Sequence, residues 1–452
     1  MTIDQQLPHL LEEGALRIVV IGLGYVGLPL AYHFAAAGLD VIGYDINEDR
    51  VKDLIRGVDN TECITPEQLS SIKIDFTVDA SRLREAHVII VAVPTDINPD
   101  KQPNLVPLTA AARDIAQHAT SETCIIIEST VYPGATEEVV MPIVSGLPGQ
   151  LWWGYSPERV VPGRPPKVQA DQRSSTLHGS GHTLTNTNKV VSGCCPESAE
   201  FIKQLYERVI TDAKVHVAPS IKTAEASKIL ENCQRDLNIA LINEFALICN
   251  RLGIETQDVL EAAGTKFNFH PYTPGLVGGH CIPIDPYYMA YRAKLAGFHT
   301  NVILAGRQVN DRMGVFIARE TIKKLCSPQT PNTGTDKILV YGWAFKPDCP
   351  DWRNTRTIDI VRELEEFGYR PVVVDPMVQA DHDIILGETG IDVVPVRGKE
   401  AAAAAIIATP HTEIIDDIWQ SGAGVRAGGV VTDVHGRLKD YKFSQEVTYW
   451  CL

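Results

Sequence analysis

An α/β protein with two open parallel-sheet domains and a helical middle is the fold class that the sequence predicts. Short apolar runs alternate with helical tracts toward both ends of the chain, and one uninterrupted amphipathic tract runs from about 221 to 252 between them. A run rich in serine, threonine, proline and glycine at 327–334 reads as a linker. At 452 residues the chain exceeds a single ordinary core, since domains average roughly 100–200 residues. Three domains are expected, at 1–212, 213–326 and 327–452.

Residues 16–21 read as a buried parallel strand, and Gly22-Leu23-Gly24-Tyr25-Val26-Gly27 as the turn into a helix that stops at Gly38. The next strand, 40–45, ends on Asp45. This is the βαβ opening of a Rossmann half. Apolar strands recur at 87–93, 124–129 and 151–155. Regularity lapses at 164–188, read as a long mobile surface insertion, and returns at 189–193. On the long helix Ile229, Leu230, Cys233, Leu237, Leu241, Phe245 and Ile248 recur at three and four residues, which predicts one broad buried face. Helices follow from about 286 and from 303 to 325. Beyond the linker, strands at 338–341, 371–375, 392–394, 405–408 and 429–433 give a second open α/β domain with no close sequence repeat of the first.

The net charge of −15 argues against broad affinity for nucleic acid or anionic membrane. An anionic ligand then needs a local basic pocket. The ten cysteines lack C-x-x-C and metal-ligand spacing, so reduced thiols in a cytoplasmic protein are expected, with no metal site. No basic region followed by an apolar stretch marks 1–13 as a secretory signal. The apolar stretch 18–39 carries glycines and His33, which favour strand, turn and helix over a membrane span.

Glycines at 22, 24 and 27 permit a tight turn, close approach to a pyrophosphate and close helix packing. Asp45 is set to accept hydrogen bonds from a ribose diol and to repel a 2′-phosphate, so NAD is the expected cofactor. Val93-Pro94-Thr95 and Ser129-Thr130-Val131 fall at carboxyl ends of strands, where ligands bind, although a hydroxyl at such a place, taken singly, is more often a turn residue than a catalytic one. Lys228 and Asn232 share a helix face and read as a pair that stabilises an alkoxide or as a solvated surface. Glu158 reads as a loop carboxylate or as a base acting through water. Cys281, in Gly278-Gly279-His280-Cys281-Ile282-Pro283-Ile284-Asp285, is a candidate nucleophile, with Lys228 as a cation able to lower its pKa. His280 is either a base for the thiol or a residue lining the turn.

These motifs resemble the UDP-sugar 6-dehydrogenase family over nearly the whole chain. The carriers are Ile21–Pro29, Val93–Thr95, Glu128–Gly134, Tyr155–Arg159, Lys228 with Asn232, the Cys281 run, and Gly342-Trp343-Ala344-Phe345-Lys346-Pro347 with Asp351 and Arg353. The resemblance implies two NAD-dependent oxidations at C6, with Cys281 carrying a thiohemiacetal and then a thioester. It implies that Lys228 and Asn232 stabilise the C6 oxygen, that Asp285 supports them, and that Thr130 and Glu158 position or activate water. Gly22, Gly24, Tyr25, Val26, Gly27, Asp45, Arg50, Pro94, Thr95, Thr130 and Arg353 are the implied cofactor residues. Glu158, Arg159, Lys228, Asn232, Gly278, Gly279, Phe345 and Lys346 are the implied substrate residues.

Asn232–Ala240 and Gly278–Tyr288, with Ile284 where the UDP-glucose branch has lysine, resemble the branch acting on UDP-N-acetylglucosamine or its galacto epimer. UDP-ManNAc and UDP-glucose are the alternatives within the family. Pro162 stands where the UDP-glucose branch has a second glutamate, and 164–181 is extra relative to the pattern. The resemblance further implies a cytoplasmic homodimer, or a higher homo-oligomer, whose uronic acid product supplies surface polysaccharide. The rivals are a single-step hydroxyacid-type dehydrogenase, which needs no Cys281, and a non-catalytic nucleotide sensor.

Overall fold

The computed structural model describes residues 2–147, 149–159, 183–326 and 336–452. Among these the chain divides into two compact units, one of 2–159, 183–231 and 287–299, the other of 232–286 and 300–452. The long helix Ile221–Leu252 passes from one to the other. Residues 164–182 of the expected insertion and all of the expected linker lie outside the described residues.

The first unit is built on strands β1 Arg17–Ile21, β2 Asp40–Tyr44, β3 Asp75–Thr77, β4 Val88–Val91, β5 Cys124–Ile127, β6 Trp152–Tyr155, β7 Lys189–Gly193 and β8 Val215–Val217. They lie in the order β3-β2-β1-β4-β5-β6-β7-β8, parallel except for the antiparallel β6–β7 pair. Val- and Ile-rich β1, β4 and β5 are buried throughout their centres, as strands covered on both faces must be. The opening residues form a helix, Ile3–Glu12, whose Ile3, Leu7 and Leu11 enter the same core.

In the second unit β9 Lys337–Tyr341, β10 Arg370–Val374, β11 Val393–Val394, β12 Ala402–Ile407, β13 Val425–Asp433 and β14 Thr448–Cys451 form an all-parallel sheet. Its order, β11-β10-β9-β12-β13-β14, repeats that of β3 to β6. The repeat reaches the turn chemistry. Gly22 after β1 has φ +88° and Gly342 after β9 has φ +91°, and a Cβ on either would meet a backbone oxygen, of Ala92 at 2.7 Å or of Thr409 at 2.3 Å. An aspartate follows the second strand of each sheet and accepts the N–H just past that glycine: Asp45 from Leu23 at 2.8 Å, Asp375 from Trp343 at 2.6 Å. Ala344 and Pro347 then replace the second and third glycines, so the second sheet keeps the turn without the dinucleotide fingerprint.

The long helix has the expected bounds but not the expected buried face. Ile229 and Cys233 are buried, whereas Leu230, Leu241, Phe245 and Ile248 are exposed and Leu237 is half-buried. Asn232, Asp236 and Asn243 are buried instead, each hydrogen-bonded to other polar groups of the second unit. Arg307 Nη1 donates to Asp236 Oδ1 at 2.5 Å, and Asn310 Nδ2 donates to the same oxygen at 2.7 Å. The tract expected as one helix from 303 is two, Asn301–Asp311 and Met313–Leu325, parted where Arg312 N–H turns back to Val309. Among the described residues no helix is long and apolar enough to cross a membrane.

Candidate active site

Around Gly22 to Gly27 the first unit has the shape of a dinucleotide cradle. A Cβ on Gly27 would lie 1.8 Å from Gly22 O, so glycine alone lets the helix Gly27–Ala36 start so close to β1. Gly24 instead faces open space, and the helix start at Val26 has no side-chain cap, which leaves its N–H groups and partial positive charge for an anion. Tyr25 and Val26, both half-buried, lie within this turn. Asp45 accepts from Leu23 N through Oδ2 and from Asn47 N at 2.9 Å through Oδ1. Each oxygen keeps lone pairs for a ribose diol. Arg50 clasps the turn through Leu23 O at 2.7 and 2.9 Å and pairs with Asp59 at 2.8 Å, while its buried Nη1 has no partner. An open glycine, an uncapped helix start and an orphaned guanidinium nitrogen together fit NAD.

Pro94 and Thr95 follow β4 and Thr130 follows β5, beside the end of β1, where the strand order reverses. Ser129 Oγ ties the two loops through Val93 O at 2.7 Å. In the same unit Lys228 Nζ donates to Glu158 O at 2.7 Å, bringing together two residues that the sequence singled out separately. Arg159 pairs with Glu231 at 2.7 Å and reaches Asn188 O. Sequence reasoning missed Lys189, whose Nζ lies 3.1 Å from Glu158 Oε2 and 2.9 Å from Glu128 Oε2. Burial pushes the Glu128 carboxyl up to about 7, with Lys189 opposing that rise.

The thiol loop belongs to the second unit. Asn232 Nδ2 donates to Asp285 Oδ2 at 2.5 Å, and both side chains are buried. Asp285 opens the helix Asp285–Leu295, its N–H received by Cys281 O at 2.9 Å, so Cys281 sits one turn before that helix, part-exposed. Gly278 and Gly279 lie against Phe345: a Cβ on Gly278 would meet the Phe345 Cβ at 3.0 Å, and one on Gly279, at φ +91°, the ring at 2.9 Å. Lys346 Nζ stands 5.6 Å from the Phe345 ring centroid. Arg353 forks onto Asp351 at 2.7 and 2.9 Å, and against the upward push of burial it holds that carboxyl below its usual range, helped by His280.

Asn243 was also missed. Its Oδ1 accepts from Gly275 N at 2.8 Å and its Nδ2 donates to Gly275 O at 3.0 Å, clamping the backbone six residues before the thiol. Asn310 Oδ1 receives the amide's other hydrogen at 2.8 Å. The signal was available as an asparagine on the helix face that carries Asn232, but only the loop's position reveals its use.

Three family models match in order: the NAD binding domain of the UDP-glucose/GDP-mannose dehydrogenase family over 16–174, its central domain over 222–312 and its UDP binding domain over 339–440. A UDP-N-acetyl-D-glucosamine 6-dehydrogenase of Pseudomonas aeruginosa is 44% identical over 404 residues, covering 88% of this chain and 91% of that protein. The protein of that name from Salmonella typhi is 41% identical, covering 88% and 90%. A solved UDP-D-ManNAc dehydrogenase of Pyrococcus horikoshii superposes with a TM-score of 0.81 at 28% identity, covering 96% of this chain and 99% of that one. The chain therefore belongs to the UDP-glucose/GDP-mannose dehydrogenase family, and is an NAD-dependent oxidoreductase of the nucleotide-sugar 6-dehydrogenase type.

Proposed function

We propose that the protein oxidises the C6 hydroxyl of a UDP-N-acetylhexosamine, UDP-N-acetylglucosamine first and its galacto epimer next, to the uronic acid by four-electron chemistry. The sugar assignment is supported by the names of two relatives above 40% identity. The observation that carries the chemistry is a part-exposed thiol on a glycine loop, in a unit that also holds the buried Asn232–Asp285 pair.

NAD held at Gly22–Gly27, Asp45, Arg50, Pro94, Thr95 and Thr130 would supply the hydride acceptor in both oxidations, and Arg353 is the residue of the second unit assigned to the cofactor. As the hydride leaves C6 the hydroxyl proton passes to water, and Lys228 and Asn232 bind the C6 oxygen and stabilise the charge that develops on it. At the aldehyde level the Cys281 thiolate adds to C6, and the same lysine and amide hold the thiohemiacetal oxygen. Asp285 orients Asn232 through their hydrogen bond. After the second oxidation Glu158 takes a proton from water oriented with Thr130, the water oxygen bonds to C6, and the C–S bond breaks to return the thiolate. Gly278, Gly279, Phe345 and Lys346 hold the sugar nucleotide, with Lys346 supplying positive charge for the diphosphate, and Arg159 is a further substrate residue.

The functional division we adopt is a cofactor domain at 1–212, a catalytic and dimerising segment at 213–326 and a UDP-sugar domain at 327–452. A homodimer in the cytoplasm is the working state. Its support is the uncovered stripe of Leu241, Phe245, Ile248 and Leu252, each 42–67% exposed, on the face of the long helix opposite its buried polar groups.

Counting NADH per sugar tests the reaction. Two per UDP-sugar are expected, whereas one would identify a single-step dehydrogenase. Cys281→Ser is expected to lower turnover at least about a thousandfold with UDP-sugar binding retained, and near-normal turnover would sink the thioester route. A panel of UDP-GlcNAc, UDP-GalNAc, UDP-ManNAc and UDP-glucose under the same absorbance readout identifies the sugar, and a preference for UDP-ManNAc would move the assignment to that branch. Tight NAD binding without NADH from any of them would leave a sensor.

A further inference from the structure

Four side chains of the first unit run in an unbroken polar file from its core toward its surface. Tyr206 OH donates to Glu128 Oε1, Lys189 Nζ donates to Glu128 Oε2 and to Glu158 Oε2, and Glu158 ends the file with its side chain 14% exposed. Tyr206, Glu128 and Lys189 are themselves buried. Backbone register explains the meeting. Because β7 runs antiparallel to β6, with Gly154 opposite Gly193 and Tyr155 opposite Ser192, continuing that register three residues brings Glu158 opposite Lys189 at the start of β7. Glu128 directly follows β5, next to β6.

A buried ammonium between two carboxylates leaves one negative charge in excess, which a dry interior disfavours. Burial accordingly pushes Glu128 up to about 7, Lys189 opposing the rise and Glu158 adding to it. The other charged or titratable groups facing the file are few among the described residues. His33, on the helix Gly27–Ala36, is lowered by burial with the Glu158 charge opposing, Lys228 holds Glu158 O from the long helix, and the Arg159 guanidinium is turned to Glu231. The Glu158 Oε1 oxygen accepts from Arg159 N at 2.7 Å.

We propose that Lys189 and Glu128 are positioning residues for the hydrolytic step, Lys189 fixing the Glu158 carboxylate and Glu128 setting how readily Glu158 takes a proton. The inference rests on the reading of Glu158 as the base for thioester hydrolysis. In that step the water proton goes to Glu158, the hydroxyl oxygen bonds to C6, the C–S bond breaks and Cys281 leaves as thiolate, with no net change in electrons. Glu158, at the exposed end, returns the proton to solvent.

Breakdown of the thioester, formed in a single turnover with excess enzyme and followed across pH, tests this. The esterified thiol does not titrate, so the acid limb of the breakdown rate reports the base. Lys189→Met leaves two carboxylates without their cation and raises the midpoint of that limb by about one pH unit or more, whereas Glu128→Gln removes the excess charge and lowers it by a similar amount. Lys189→Arg keeps the charge and stays near the parent limb. Movement of the limb in one direction for both Lys189→Met and Glu128→Gln, or no movement in Glu128→Gln, overturns the inference, and Glu128→Gln alone decides it if Lys189→Met does not fold. Unimpaired breakdown in Glu158→Gln overturns the reading of Glu158 itself, and the inference with it. Blocked breakdown in Glu158→Gln, with unmoved limbs in the other two variants, overturns only the inference.

Discussion

Replacing Asp375 with alanine removes one acceptor from four donors. Trp343 N at 2.6 Å, Ala344 N at 2.8 Å and His411 Nε2 at 3.0 Å converge on Oδ2, and Met377 N lies 2.7 Å from Oδ1. His411 Nδ1 accepts from Asp348 N, so Nε2 carries the hydrogen it offers to Asp375. Asp375 and His411 are fully buried. A buried N–H left without a partner costs roughly 1–3 kcal/mol, and with water entering part of the vacated space the sum comes to about 4 kcal/mol. In a urea titration of the NAD-free protein, followed by tryptophan fluorescence, that lowers the midpoint by more than about 1 M. Asp45→Ala is the control. Its carboxylate closes the corresponding turn from a half-buried position where water replaces it, so about 1 kcal/mol or less is lost. NAD affinity falls roughly tenfold or more, because the ribose loses a charged acceptor. A midpoint shift under roughly 0.3 M for Asp375→Ala, or equal shifts for the two variants, would refute the division of labour between the two turns.

Gly27→Ala sets a Cβ 1.8 Å from Gly22 O and is expected to abolish NAD binding in calorimetry, while measurable binding near the parent affinity would contradict the cradle. Glu225, buried under Gly134 and Thr136, is pushed up to about 7 by burial against the N–H bonds it accepts. A carboxyl raised in the folded state binds a proton there that the unfolded chain has already released. Stability therefore falls as pH rises from about 4.5 to about 7, by on the order of 3 kcal/mol for this group. Glu225→Gln should flatten that part of the profile of melting temperature against pH, and an unchanged slope would count against the buried acid.

The cofactor turn was legible because its chemistry is local: Gly22, Gly24, Gly27 and Asp45 lie within one βαβ unit. The thiol loop was legible through its unusual run of glycines. The long helix could be bounded but not oriented, since Asn232, Asp236 and Asn243 look like a solvent face until Arg307, Asn310, Gly275 and Asp285, which follow later in the chain, satisfy them. Alanine-rich β12 was clipped at its start because alanine has little strand preference of its own, and burial between neighbouring strands overrides it. Strands β3, β8 and β14 lie at sheet edges and are only partly buried, so they lack the continuous apolar run that marks the central strands. Lys189 escaped notice because its role follows from antiparallel register after the irregular stretch. The correspondence of Gly342 and Asp375 with Gly22 and Asp45 was hidden by Ala344 and Pro347.

The Asn243 amide grips Gly275 as a neighbouring strand would, by one donor and one acceptor on the backbone alone. Such a clamp fixes the entry of the loop through its backbone, while Gly278 and Gly279, which leave no room for a Cβ beside Phe345, fix its exit. The short stretch that leads to the sulfur is thereby held at two points, and a side chain added at either glycine would move the thiol along with the loop.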